Sequence, residues 1–152
     1  MITKGKRKIR VLFLCTHNSC RSQMVEGWAC RLKADCIDPY SAGIEPQALD
    51  PRAVKVMAEA GLDISSHRSK HVDELRSIAF DYVVTVCGHA KEKCPLFPGK
   101  TKLTHIGFDD PPKLAQQAKS EEEALNIYRR VRNQIKDFIL TLPDPLTERK
   151  KR

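Results

Sequence analysis

The sequence predicts an α/β domain: a four-stranded parallel sheet flanked by helices. Three observations carry that prediction. Short apolar runs alternate with amphipathic helical segments along the whole chain. The first run, Val11-Leu12-Phe13-Leu14, is apolar at every position, as a parallel strand covered on both faces must be. The length, 152 residues, suits one domain with a sizeable core. Right-handed crossovers between such strands bring their carboxyl ends to one edge, where open α/β sheets bind ligands.

Ile9 to Leu14 is the first strand. The segment after Ser22 places Met24, Val25, Trp28 and Leu32 on one helical stripe, with Gly27 allowing a close approach. Ile37 to Ser41, running into Ala42-Gly43, is a second strand. Asp50 and Pro51 then cap and start a helix that Gly61 ends, with Ala53, Val56, Met57 and Ala60 on its buried side. Val72 to Ser77 follows as a short helix, and His67 before it is read as a structural hydrogen-bonding residue. Tyr82 to Val86 is the third strand and delivers Cys87 to the carboxyl edge. Leu103 to Ile106, a weaker fourth strand, delivers Asp109 and Asp110 to the same edge. Ser120-Glu121-Glu122-Glu123 is a capping box that opens the last helix. Leu125, Tyr128, Val131, Ile135, Phe138, Ile139 and Leu142 form its apolar face, and Pro143 ends it.

Composition excludes several classes of function. The net charge is +8, but five positive charges fall in residues 4–10 and four in 149–152, while Glu148 is the lone acid in either tail. Residues 11–147 therefore carry eighteen basic and eighteen acidic side chains, so the basicity belongs to solvated termini and not to a nucleic-acid-binding face. The expected organisation is a single domain over 1–152 with flexible basic tails at 1–8 and 144–152. Every apolar run is far shorter than the roughly 18 residues that span a bilayer, and the charged N-terminus lacks the apolar stretch of a signal peptide. A cytoplasmic monomer with neither membrane nor nucleic-acid partners is the expectation. Six cysteines in such a chain point to reduced thiols with chemical roles.

Chemistry concentrates where the first strand ends, in Cys15-Thr16-His17-Asn18-Ser19-Cys20-Arg21-Ser22. A turn between strand and helix aims backbone N–H groups at one point, and Asn18 and Ser19 suit a tight turn there. Residues 16 to 22 are the candidate oxyanion-binding loop, and Cys15 is the candidate nucleophile. Amide dipoles and Arg21 are expected to pull its thiol from about 8.5 into the range of about 3.5 to 7.5, while Ser22 either caps the helix or bonds the thiolate. Asp110, directly before Pro111, is the candidate proton donor to a leaving oxygen, with Asp109 shaping the loop. Cys87 and Cys94, seven positions apart, form a second thiol pair. With His89 and His105 the pair has the elements of a metal site, yet its spacing fits no common zinc pattern, and no metal is expected. Cys30 and Cys36 are read as packing residues.

Cys-x5-Arg-Ser after an apolar strand resembles the anion loop of the low-molecular-weight protein tyrosine phosphatase fold. Cys-Thr-x-Asn-Ser-Cys-Arg-Ser-Gln-Met is similar to its thioredoxin-coupled arsenate reductase branch, as is the Cys87–Cys94 spacing. The resemblance implies a flavodoxin-like strand order. It also implies arsenate as substrate, no bound cofactor, and a relay in which Cys15 attacks arsenic, Cys87 attacks Cys15, and Cys94 attacks Cys87. Reduced thioredoxin would then regenerate the dithiol as electron donor. The relay requires the segment from Cys87 to Gly99 to be mobile. A tyrosine phosphatase is the nearest rival, although a phosphatase has no need of the thiol pair and Pro112-Lys113-Leu114 lacks the tyrosine of eukaryotic-type phosphatases. A redox or metal-binding protein without turnover is a rival of another class. Potassium-responsive relatives bind the ion through positions matching Asn18, Glu26 and Ser41 plus an acid. Lys70 stands in place of that acid, which implies an ammonium paired with Glu26 and activity independent of potassium.

Overall fold

The computed structural model describes residues 7–97 and 99–147. Four strands, β1 (Ile9–Cys15), β2 (Ile37–Gly43), β3 (Tyr82–Thr85) and β4 (Lys102–His105), form a sheet in the order β2-β1-β3-β4. All three pairings are parallel, as the crossover argument requires. The central position of β1 explains its unbroken apolar run: Val11 to Leu14 are completely buried. β4 lies at an edge, and its exposed Leu103 accounts for the weaker pattern in its sequence.

Helix α1 (Arg21–Leu32) packs on β1 and β2 and against the long α5 (Glu121–Thr141), which also contacts α2 (Pro51–Glu59) and α4 (Pro111–Ala115). A Cβ on Gly27 would meet Ile64 Cγ2 at 3.0 Å and Met57 Cε at 3.2 Å, so a bare Cα there lets α1 settle against the end of α2 and the segment after it. Asp50 caps α2 by accepting from the Arg52 N–H, and Ser120 caps α5 by accepting from the Glu123 N–H. The apolar faces read from the sequence are buried in α2 and α5, save that Ala60 and Phe138 stay partly open.

Three short helices carry no periodic signal: α3 (Gly88–Glu92), α4, and α6 (Asp144–Thr147). The segment expected to be mobile thus begins with a helical turn. Val72–Leu75 is a single 3-10 turn and not a longer helix. Leu146 of α6 is only 7 % exposed, so residues 144–147 belong to the folded domain and not to a flexible tail. At the other terminus, Arg7 donates two hydrogen bonds to Asp81, at 2.9 and 2.8 Å. The remaining tail residues, 1–6 and 148–152, lie outside the described residues. Among the described residues no helix is long and apolar enough to cross a membrane.

The register fixes the site. Leu14 lies opposite Thr85, and Val86 N–H bonds to Leu14 C=O at 2.9 Å, so β1 and β3 finish level, with Cys15 at the end of β1 and Cys87 just past the end of β3 at the same edge. Phe108 N–H bonds to Val86 C=O at 3.3 Å and brings the Asp109-Asp110 loop to the same edge.

Candidate active site

The loop from Thr16 to Cys20 is held by its carbonyls. Those of Cys15, Thr16, His17 and Ser19 accept from the N–H groups of Ile44, Glu45, Gln47 and Asp50. The Asn18 carbonyl accepts from Gln23 Nε2 at 3.0 Å and Ser69 Oγ at 2.6 Å. With its acceptors tied outward, the loop turns N–H groups inward, and Asn18 N–H donates to Cys15 Sγ at 3.2 Å. Asn18 sits at φ +51°, a left-handed conformation asparagine tolerates better than most residues. A Cβ on Gly43 would lie 2.8 Å from Thr16 C=O, so the Ser41-Ala42-Gly43 end of β2 ends in glycine to let this loop close against it.

Ser22 resolves the choice left open by the sequence. Asn18 Nδ2 donates to Ser22 Oγ at 2.8 Å, which leaves the serine proton for Cys15 Sγ at 2.9 Å. Ser22 therefore serves the sulfur, and α1 has no side-chain cap at Cys20. Asn18 Oδ1 in turn accepts from Gln23 Nε2 and the Lys70 N–H, and Gln23 Oε1 meets His67 Nδ1 at 3.0 Å. His67 thus has the structural role expected. Gln23 was missed, although a polar residue next to the apolar stripe of α1 was the available signal.

The expected depression of the Cys15 thiol is corrected. Cys15 is only 4 % exposed, and burial pushes its thiol up, while the Ser22 hydroxyl and the Asn18 N–H oppose the rise. Arg21 does not offset this, because its guanidinium is engaged elsewhere: it donates to Phe108 C=O at 3.0 Å and lies 3.5 Å from Asp110 Oδ2. Burial also drives the Cys20 thiol well up, with Asp50 and Cys15 adding to the effect.

A cavity of about 370 Å³ opens on the loop. Cys15, Thr16, His17, Ser19, Cys20 and Arg21 form its floor, and Asp110 stands on its rim. Gln47, Ala48, Asp50, Pro112, Lys113 and Gln116, none of them a site candidate from the sequence, line it as well. Asp109 faces away and pairs with Arg130 at 3.0 Å. A depression of about 490 Å³ at the amino edge of the sheet, lined by Arg7, Lys8, Asp81 and Lys102 among others, contains no thiol and lies opposite the reactive loop.

All six cysteines are free thiols. Cys87 is buried at the N-cap of α3, with Sγ 3.1 Å from Thr16 Oγ1 and 3.4 Å from the Ala90 N–H. Cys94 follows the end of α3, half-buried, with Sγ directed to Pro95 C=O at 3.5 Å and its thiol raised by burial. Lys70 does not form the expected ion pair with Glu26. Its ammonium donates to Arg68 C=O at 3.2 Å, Glu26 accepts from Ser41, and burial lowers the lysine while the charge of Glu26 opposes that shift.

A family model described as low molecular weight phosphotyrosine protein phosphatase matches residues 10–152. The chain belongs to that family. Within it, the chain is 46 % identical over 134 residues to an arsenate reductase of Halalkalibacterium halodurans, covering 88 % of this chain and 94 % of the relative. Its fold is similar to a solved arsenate reductase in the phosphate binding state (TM-score 0.70, 30 % identity, 88 % and 95 % of the two chains). It is similar also to a thioredoxin-dependent arsenate reductase of Corynebacterium glutamicum (TM-score 0.60, 26 % identity, 88 % of this chain and 61 % of that one). The four-stranded parallel sheet with its flanking helices thus agrees with membership of the low molecular weight phosphatase family.

Proposed function

We propose that this enzyme reduces arsenate to arsenite in the cytoplasm through Cys15, Cys87 and Cys94, with reduced thioredoxin as the electron donor. One observation carries the reading: a second thiol, Cys87, is built against the anion loop, in hydrogen-bond contact with Thr16. A hydrolytic phosphatase has no use for it, whereas a two-electron reduction must leave a disulfide behind. The names of the relatives agree with this choice.

In the proposed sequence Cys15 attacks arsenic as a thiolate. Ser22 and the Asn18 N–H offset the penalty that burial places on its charge, and the loop amides and Arg21 hold the oxyanion. Asp110 gives a proton to the departing oxygen. Cys87 then attacks Cys15 Sγ, the S–As electron pair passes to arsenic, and arsenite leaves with a Cys15–Cys87 disulfide behind. Cys94 attacks Cys87, freeing Cys15, and a thioredoxin dithiol reduces the Cys87–Cys94 bond.

The last exchange sets a conformational requirement. The five residues of α3 between the Cys87 cap and Cys94 span about 7.5 Å along the helix axis, and a disulfide needs Cα atoms within about 7 Å. α3, which lies between Cys87 and Cys94, must therefore unwind. Five residues with only Ala90 buried make a helix of low intrinsic stability.

Trapping after a single arsenate turnover tests the sequence. Wild-type protein should accumulate Cys87–Cys94, and Cys94→Ser should stop at Cys15–Cys87 after releasing one arsenite. Sustained turnover by Cys87→Ser or Cys94→Ser with thioredoxin and its reductase would sink the scheme. Phosphatase activity from the shared loop is compatible with it.

A further inference from the structure

The relay leaves the proton of Cys87 without a destination. Cys87 is buried, so water has little direct access to its thiol. Thr16 Oγ1, however, lies 3.1 Å from Cys87 Sγ and 3.1 Å from His89 Nδ1, bridging a nucleophile and a base. Three elements bring these groups together: the end of β1 supplies Thr16, the segment after β3 supplies Cys87, and the first turn of α3 supplies His89 two residues later. Resting on the function proposed above, we propose that His89 takes the thiol proton of Cys87 through the Thr16 hydroxyl.

A hydroxyl has one proton and accepts others, so it can pass a proton along without a net change of charge. Before the step, Cys87 S–H donates to Thr16 Oγ1, and Thr16 O–H donates to His89 Nδ1. The S–H bond breaks with its electron pair left on sulfur. Its proton moves to Oγ1 while the hydroxyl's own proton moves to Nδ1, giving a thiolate and an imidazolium. The thiolate now accepts from Thr16 O–H and from the Ala90 N–H. It attacks Cys15 Sγ, the S–S bond forms, and the S–As pair reduces arsenic from the pentavalent to the trivalent state. The half-buried imidazolium then releases its proton to solvent.

The surroundings leave His89 free for this role. Cys15 faces Cys87 from β1, His105 of β4 is bonded through Nδ1 to Thr85, and Arg21 is held by Phe108 and Asp110. On α3 itself, Lys91 and Glu92 are exposed, as is Lys93 just beyond it. Among the described residues no carboxylate lies within ion-pair distance of His89. His89 acts through Thr16 and is a positioning residue for the proton; Thr16 is the group that touches the reacting sulfur.

Site-resolved alkylation of the reduced full-length protein by iodoacetamide between pH 5.5 and 9 tests this without arsenate. Only a neutral imidazole can accept the proton, so the pH profile of wild-type Cys87 should carry an inflection that depends on His89. In His89→Gln that inflection should vanish. At pH 7 the variant should react several-fold more slowly than wild type. Thr16→Val should match it, the double variant should be no slower than either, and imidazole added to His89→Ala should restore the rate. Cys94 serves as the control and should be unaffected. A Cys87 profile in His89→Gln that overlays wild type, or one slowed equally at every pH with the inflection kept, would overturn the relay. Absent arsenate turnover with the expected Cys87 profile would instead remove the reductase reading and leave the thiol relay standing.

Discussion

In the proposed relay α3 unwinds before Cys94 reaches Cys87, so the stability of this helix should set the rate of that exchange. Gly88, its first residue, offers a mild perturbation: a Cβ there meets nothing within 4 Å. Gly88→Ala therefore adds no clash and removes the entropic cost of glycine, which stabilises the helix by about 0.5 to 1 kcal/mol. If unwinding precedes exchange, Cys87–Cys94 formation should slow by about two- to fivefold, from the same energy divided by RT. Lys91→Gly, at an exposed position of the same turn, should act in the opposite sense by a similar factor. Rapid acid quenching and thiol labelling after one arsenate turnover would follow both disulfides in time. Arsenite release precedes the unwinding and should keep its rate in both variants. Amide exchange across 88–92 would verify that helix stability had moved. If it had, and Cys87–Cys94 still formed at one rate in all three proteins, unwinding of α3 would not lie on the route.

Two further outcomes are expected. The Cys20 thiol is raised in the folded protein, so the unfolded chain ionises first as pH climbs. The stability from that neutral thiol is complete below the ordinary thiol value near 8.5 and is lost above it. In urea unfolding at pH 7, 8.5 and 9.5, wild type should lose stability relative to Cys20→Ala by up to about 1.4 kcal/mol per pH unit above that value; parallel curves would contradict the assignment. Turnover should also be the same in potassium and sodium chloride, because the Lys70 ammonium lies within electrostatic reach of Glu26 and supplies a positive charge there. Strong activation by potassium would show that Lys70 does not fill that role.

The fold was legible because its information is periodic. The unbroken run in β1, the stripes of α2 and α5 and the caps at Asp50 and Ser120 each state a local geometry that the tertiary structure keeps. Helices α3, α4 and α6, of five, five and four residues, are too short for a 3.6-residue repeat to register. The site was legible as a set of residues but not as an electrostatic environment. Cys15, Arg21 and Asp110 do meet at the cavity, yet the direction of the Cys15 shift depended on how deeply β1 is covered and on where the Arg21 side chain points. Neither is written in a motif. The same limit hid Gln23, whose amide ties the Asn18 loop just before α1 to Arg68 C=O, and it hid the path of the Lys70 side chain to Arg68 C=O.

The level ending of β1 and β3 separates two demands that a redox cycle could have set against each other. Cys15 ends β1, and Cys87 lies two residues past the end of the neighbouring β3; both are buried, so in the proposed relay they are held close to the rigid sheet. The large movement is assigned to α3 and the stretch leading to Leu96, which is 91 % exposed. Rigidity and motion are thus written into different stretches of the polypeptide. In the proposed relay, sequence change around 88–97 would retune how fast the disulfide is handed outward without loosening the sheet, and changes in the core would raise thermal resistance without slowing the handover.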